Sequence, residues 1–165
     1  LTLIYIAMKR RVLFFLVAMF LTTGISKTMA QTADLKGIWQ MCFYMSNDPT
    51  VPGELKPSNS FKILTDDGKF INMTMIPNKG AIIIGSGTYK QTAPNAFTEH
   101  VEKNLHLPQL VGVDNVLEFE MKGGDVMLVK YFVKKDAEGH EINSWYYETW
   151  KKVKMPATYP KDLVR

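Results

Sequence analysis

The sequence predicts an all-β domain, an eight-stranded, mostly antiparallel up-and-down barrel that follows an N-terminal signal peptide. Short runs of alternating apolar and polar residues recur along the chain, and Asp, Asn and Gly turns separate them at short, even spacing. No convincing long helix interrupts this pattern. Because each predicted strand has one dry and one wet face, eight of them must close on themselves or fold into a sandwich.

Residues 8–30 have the layout of a secretory signal peptide. The basic segment Met8–Arg11 precedes an apolar run, Val12–Leu21, and small residues lead up to Ala30. We expect translation to start at Met8, cleavage after Ala30, and a domain of residues 31–165 that is secreted or periplasmic. An uncleaved membrane anchor is disfavoured, because the basic residues interrupt an apolar stretch that is shorter than the about 20 residues of a span.

The positive charge of the chain belongs to this leader. The chain carries 20 Lys and Arg against 16 Asp and Glu, a formal charge of +4. Four of the basic residues and none of the acidic ones lie within residues 1–30, which leaves 16 of each sign in the predicted domain. A neutral domain lacks the basic field that nucleic-acid binding requires, so we predict no nucleic-acid partner.

Cys42 is the only cysteine of the sequence, so no intrachain disulfide can form even in an oxidising compartment. It lies within an apolar segment. This position favours a small buried side chain over a reactive or metal-binding thiol.

The turn signals place the strands in order along the chain. Asp66-Asp67-Gly68 and Gly123-Gly124-Asp125 are two of the hairpin signals. The segment 98–106 fits either a strand or one to two helical turns ended by Pro108, and we favour the strand. Asp48–Ser58 contains three prolines and is predicted to be the one long loop, a partial lid across a barrel mouth. The predicted strands lie near 36–46, 59–66, 69–76, 81–91, 96–103, 114–122, 125–135 and 141–153.

The segment Leu35-Lys36-Gly37-Ile38-Trp39 places Gly-x-Trp at the head of the first strand. The glycine lets the preceding loop cross closely over the barrel end, and the indole plugs that end. This resembles the lipocalin and calycin superfamily, in which a basic side chain of the last strand packs across the tryptophan. Here Lys151 or Lys152 is in the corresponding place.

Over its whole predicted domain, the chain looks more like the compact lipocalin-like domains of secreted bacterial proteins. These share the leading Gly-x-Trp and a closing aromatic-Glu-x-Trp-basic segment, which is present here within 145–153. The Thr-Asp-Tyr signature, disulfide and C-terminal helix pattern of typical lipocalins are not evident. The resemblance implies a barrel that holds a ligand.

The leading functional hypothesis is non-catalytic binding of a small apolar or amphipathic molecule in the barrel mouth. An eight-stranded barrel holds one small ligand or is filled by its own side chains, so a filled core is the competing interpretation. The candidate ligand-binding residues are the aromatic and methionine side chains that alternation places inside: Trp39, Met41, Phe43, Phe61, Phe119, Tyr131 and Tyr147, with Trp145 as the alternative to Tyr147.

Two other functions stay open. A ligand-free module would dock a protein or glycan through its surface or pair as a homodimer, and an enzyme or metal protein would use His100 with Glu99 or Glu102. The sequence contains no Gly-x-Ser-x-Gly elbow, no phosphate loop and no known metal-ligand spacing. We therefore predict no catalytic residue, metal ion or cofactor.

Overall fold

The computed structural model describes residues 33–45 and 53–155. The predicted signal peptide, its cleavage site and the first part of the predicted lid, 48–52, lie outside the described residues. In the part of the chain that is described, no helix is long and apolar enough to cross a membrane.

Eight antiparallel strands pair in chain order, and the last pairs with the first, so the sheet closes into a barrel. This confirms the predicted all-β barrel and the strand favoured over a helix for 98–106. A short 3-10 helix, Pro108–Leu110, follows the fifth strand. The strands are β1 (Gly37–Met45), β2 (Glu54–Leu64), β3 (Lys69–Ile76), β4 (Gly80–Ala93), β5 (Ala96–Asn104), β6 (Asp114–Lys122), β7 (Val126–Lys135) and β8 (Glu141–Lys152).

The predicted lid is partly wrong, because β2 begins at Glu54 rather than near 59. Residues 54–57 of the predicted loop pair with the end of β1, with Pro57 opposite Cys42. Proline favoured a loop at this place in the sequence. It is tolerated in a strand beside a bulge, however, and the register of β1 shifts between Gln40 and Cys42, next to Pro57.

Trp39 seals one end of the barrel. Its side chain is fully buried, and its indole Nε1 donates a hydrogen bond of 2.8 Å to the carbonyl oxygen of Leu35. The Lys152 ammonium lies 5.3 Å from the centre of the indole ring and donates to the carbonyl oxygen of Asp34. Gly37 has a φ of +123°, and a Cβ there would lie 3.1 Å from the Lys152 side chain. Lys152 is therefore the basic residue that closes over the tryptophan.

An apolar core packs against Trp39 and fills this end of the barrel. Seven of the eight strands contribute buried residues to it, and Tyr89 of β4 packs against it while partly exposed. On β5, β6 and β7 the buried members alternate along the strand, as the period of two requires. The core includes Leu64, Phe70, Phe97, Leu117, Phe119, Met127, Val129 and Trp150. This part of the interior is a filled core and leaves no room for a ligand beside the indole.

Gly87→Ala will strongly destabilise the barrel. A Cβ at Gly87 would lie 2.0 Å from the carbonyl oxygen of His100 on β5 and 2.9 Å from the ring of Phe70. Relief of this overlap separates β4 from β5, so we expect a loss of more than about 3 kcal/mol in the free energy of unfolding, measured with urea.

The control for this variant is Gly124→Ala. Gly124 has a φ of +80°, but no atom lies within 4 Å of its Cβ position. Only the backbone strain remains there, and the expected loss is about 1 kcal/mol. Equal losses at the two glycines would show that the close approach of β4 and β5 is not what requires Gly87.

Candidate functional site

A buried ion pair joins two walls of the barrel. The ammonium of Lys62 on β2 lies 2.5 Å from Glu99 Oε1 on β5, and the two side chains are 2% and 6% exposed. The ring centres of Phe70, Phe97 and Trp150 lie 5.7, 5.8 and 5.5 Å from the ammonium. These rings and the carboxylate together compensate the cation for its lost hydration. Burial raises the pKa of Glu99 above its ordinary value, against the opposing effect of Lys62.

A second carboxylate, Glu148 on β8, faces the same interior. Its Oε1 accepts a hydrogen bond of 3.1 Å from the Tyr131 hydroxyl, and its Oε2 accepts one of 2.9 Å from the Trp150 indole. Burial and the neighbouring Glu148 raise the pKa of Tyr131, which keeps its hydroxyl neutral. Tyr146 stacks on Tyr131 with ring centres 5.6 Å apart. Both donors to Glu148 are uncharged, so these contacts orient the carboxylate without neutralising it.

These side chains line a cavity of about 90 Å³ inside the barrel. Residues that follow β5, including His106, Leu107 and Leu110, form part of its wall. Apolar side chains such as Val101 and Leu117 complete the lining. The polar residues of the strands that line it are Lys62, Asn72, Glu99, Asn104, Asn115, Tyr131 and Glu148.

Two amides of the lining lack hydrogen-bond partners. Asn115 is 8% exposed, and its side-chain amide makes no hydrogen bond with any described residue. The Oδ1 atom of Asn72 is fully buried, and it too has no partner among the described residues. Buried polar groups are nearly always paired in folded proteins. The buried, unpaired Oδ1 of Asn72 in the cavity lining therefore indicates a site for a polar ligand group or for ordered water.

Part of the predicted ligand-binding set reaches this region. Tyr131 lines the cavity, and Phe119 packs in the core beside it. Met41 is half-buried against the core, while Trp39 seals the barrel end. A ligand contact by any of these residues stays a prediction.

The prediction that Phe61 and Tyr147 point into the barrel is wrong. The strand pairing places both side chains on the outer face. Phe61 lies opposite Gln40 on the outer face, and it is the adjacent Lys62 that points inward. Tyr147 is 74% exposed on the outer face of β8, where Trp145 also lies. At these positions each strand carries an aromatic residue outside and a charged neighbour, Lys62 or Glu148, inside, so hydrophobicity selects the wrong face.

Phe43 also differs from its predicted environment. The bulge between Gln40 and Cys42 changes the register of β1, and Phe43 beyond it is 58% exposed. Cys42 is buried, as expected, and burial raises the pKa of its thiol.

Sequence reasoning missed Lys62, Asn72, Asn115 and Glu148 as site residues. One signal was available in the closing segment, since residues two apart on a strand share a face. Once Trp150 is assigned to the interior, Glu148 must point there as well. No comparable signal marks Lys62, whose neighbours in sequence are more apolar than it is.

The histidine site considered from the sequence is divided between the two faces of β5. Glu99 lies inside the barrel with Lys62, whereas His100 is exposed and its Nδ1 lies 2.7 Å from Asp114 Oδ1. Glu102 is exposed as well. The structure therefore does not bring His100 and Glu99 together.

A group of possible metal ligands lies in the turn between β7 and β8. One ligand atom from each of Asp136, Glu138 and His140 lies within 4.8 Å of the others. The backbone N–H groups of Glu138 and His140 both donate to Asp136 Oδ1. These bonds close the turn and account for the grouping.

Removal of one member of the Lys62–Glu99 pair will destabilise the protein far more than removal of both. Lys62→Met or Glu99→Leu leaves a buried charge without its partner, and we expect each to lower the free energy of unfolding by about 3–5 kcal/mol. The double variant leaves only apolar groups among the rings and is expected to lie within about 1.5 kcal/mol of wild type. A denaturation cycle measures the coupling, and additive losses would contradict it.

Glu99 will also make the free energy of unfolding depend on pH. Because its pKa in the folded protein is raised above 4.5, the folded state binds this proton more tightly than the unfolded chain does. The stability that this bound proton contributes is fully present below pH 4.5, the pKa of the unfolded chain. It is lost as the pH rises through the pKa of Glu99 in the folded protein. Relative to the double variant, wild type should therefore lose stability over a range of pH that begins at about 4.5 and extends upward. A relative gain over that range in denaturation experiments would overturn this expectation.

Comparison with known proteins assigns the chain to a family. Residues 34–161 match a family model described as a domain of unknown function, DUF4488. The match spans all eight strands and every residue of the cavity. No curated protein matches the chain. The closed barrel with its polar cavity is thus a member of the DUF4488 domain family.

Proposed function

We propose that this protein is an exported, non-catalytic carrier or sensor that binds a small molecule inside its barrel. The observation that carries the proposal is the cavity of about 90 Å³ with the buried, unpaired Oδ1 atom of Asn72 in its lining. Such a group costs about 1–3 kcal/mol when it is left unsatisfied. A bound ligand with matching polar groups offsets that cost. The resemblance to lipocalin-like domains, which implies a ligand-holding barrel, supports the same function.

The ligand enters at the end of the barrel opposite Trp39. On the inner face of β8 the exposed fraction rises towards that end, from 3% for Trp150 to 37% for Tyr146. An amphipathic molecule suits this gradient. Its apolar part lies towards the end where Tyr146 is exposed, and its polar head enters the cavity beside Lys62 and Glu99. A wholly apolar ligand would leave the amides of the cavity unpaired.

Export to the periplasm or the outside of the cell is part of this proposal. It rests on the basic and apolar segments within residues 8–30 and on the small residues before Gln31. A carrier or sensor in that compartment meets molecules before they reach the cytoplasm.

A second candidate function is docking of a partner through the outer face of β7 and β8. Phe132, Trp145 and Tyr147 all project from this face. The ammonium of Lys130 lies 4.8 Å from the centre of the Trp145 ring. Exposed aromatic residues beside a cation favour recognition of a protein or a glycan.

Native mass spectrometry of the protein, produced with its own leader and purified from the exported fraction, tests the leading function. We expect a mature mass that begins at Gln31 and an added mass that is lost on denaturation. A mass that retains residues 8–30 would contradict export. A mature mass without any added mass would contradict the carrier function and support the second candidate function.

Val101→Phe will reduce the bound fraction. Val101 is buried in the lining of the cavity, so the added ring occupies the space of the ligand head. We expect at least about a tenfold loss of affinity, since an overlap of that kind costs more than about 1.4 kcal/mol. The matched control is Val116→Phe on the exposed face of β6, which should bind as wild type does. Equal retention by both folded variants would show that the ligand lies elsewhere.

A further inference from the structure

One acidic side chain of the cavity lacks a basic partner. Lys62 is the one lysine or arginine of the described lining, and the acidic residues Glu99 and Glu148 both line the same space. Lys62 is committed to Glu99 at 2.5 Å and to three aromatic rings. Glu148 receives hydrogen bonds only from the neutral groups of Tyr131 and Trp150. The carboxylate of Glu148 is therefore the charge that no cation of the described lining contacts.

Several oxygen atoms of the cavity can accept a further hydrogen bond. Asn72 Oδ1 is buried without a donor, and the Oδ1 of Asn115, a residue that is 8% exposed, accepts no hydrogen bond from a described residue. Each oxygen of Glu148 accepts one hydrogen bond and retains capacity for another. A ligand group that pairs with these oxygens must donate several hydrogen bonds.

We propose that the group bound in the cavity is the primary ammonium of a small amine. An ammonium has three N–H donors, which match the acceptors of Asn72, Asn115 and Glu148. Its charge is opposite to that of the Glu148 carboxylate, whereas a carboxylate or phosphate head would place a further negative charge beside Glu148 in a low-dielectric space. The aromatic wall at Tyr131 favours a cation further. This inference rests on the proposed function and names the chemistry of its ligand head.

Three probes of equal chain length separate the possible head groups: propan-1-amine, propan-1-ol and propanoate. Ligand-observed NMR titration of the folded wild-type protein measures each affinity. We expect the amine to bind at least about tenfold more tightly than the alcohol, because its hydrogen bonds are charge-assisted, and propanoate to show no saturable binding. Preference for the alcohol or for propanoate would overturn the ammonium assignment.

Glu148→Gln removes the charge that selects the amine. We expect this variant to bind propan-1-amine about tenfold more weakly while its affinity for propan-1-ol changes less than about twofold. The control is Glu118→Gln, the same substitution on the outer face, where Glu118 pairs with Lys130 at 2.9 Å. It should leave all three affinities unchanged. An unaltered preference for the amine in Glu148→Gln would show that Glu148 does not bind the ammonium.

Asn115→Leu separates a role of Asn115 in ligand binding from a role in folding. Because the amide is unpaired in the fold, its replacement by an apolar group of similar size should leave the melting temperature equal or higher. The affinity for propan-1-amine should fall about fivefold at the same time. A lower melting temperature together with unchanged amine affinity would mean that Asn115 serves the fold and not the ligand.

The titrations and native mass spectrometry together distinguish failure of the ammonium assignment from failure of the proposed function. Saturable binding of propan-1-ol or propanoate without preference for the amine refutes the ammonium and retains a small-molecule site. Failure of all three probes refutes the ammonium as well. Only that failure combined with a bare mass in native mass spectrometry refutes small-molecule binding in the cavity.

Discussion

The Lys62–Glu99 ion pair is the interaction on which the interior depends. It spans from β2 to β5, and its ammonium occupies the space among Phe70, Phe97 and Trp150. A pair of buried charges contributes less to stability than an apolar filling of equal volume. The pair instead places charged side chains where the apolar core meets the cavity. Lys62 and Glu99 therefore form part of the cavity lining.

The two ends of the barrel follow from different constraints. At one end, Trp39 is held by the carbonyl oxygen of Leu35 and covered by Lys152, and Gly37 adopts a φ of +123° that favours glycine. Apolar side chains pack around the indole at this end. Further along the interior, apolar residues such as Val101 and Leu117 share the inner face with the polar side chains of Asn72, Asn115 and Glu148, and the cavity lies among them. The boundary between core and cavity is thus where polar side chains join the apolar inner face.

Most of the fold was predictable because its signals are local. Alternation and the turn residues located every strand to within a few positions, and only the start of β2 moved by several residues. The pattern Gly-x-Trp and the basic residues after Trp150 also predicted the sealed end. The site was less predictable, because alternation divides a strand into two faces without saying which one is inside. For Phe61 and Tyr147, apolar character selected the outer face, and the bulge before Cys42 altered the surroundings of Phe43.

The sequence by itself determined an eight-stranded antiparallel barrel, the tryptophan that closes one end, and the neutral charge of the domain, because these depend on residue type and spacing along the chain. Only the tertiary structure decided that Lys62 meets Glu99 and that Glu148 and Asn115 line one cavity. These residues come from strands far apart in sequence, and their side chains meet only after β8 pairs with β1. Closure of the ladder sets which face of each strand is inside, and no local pattern carries that information.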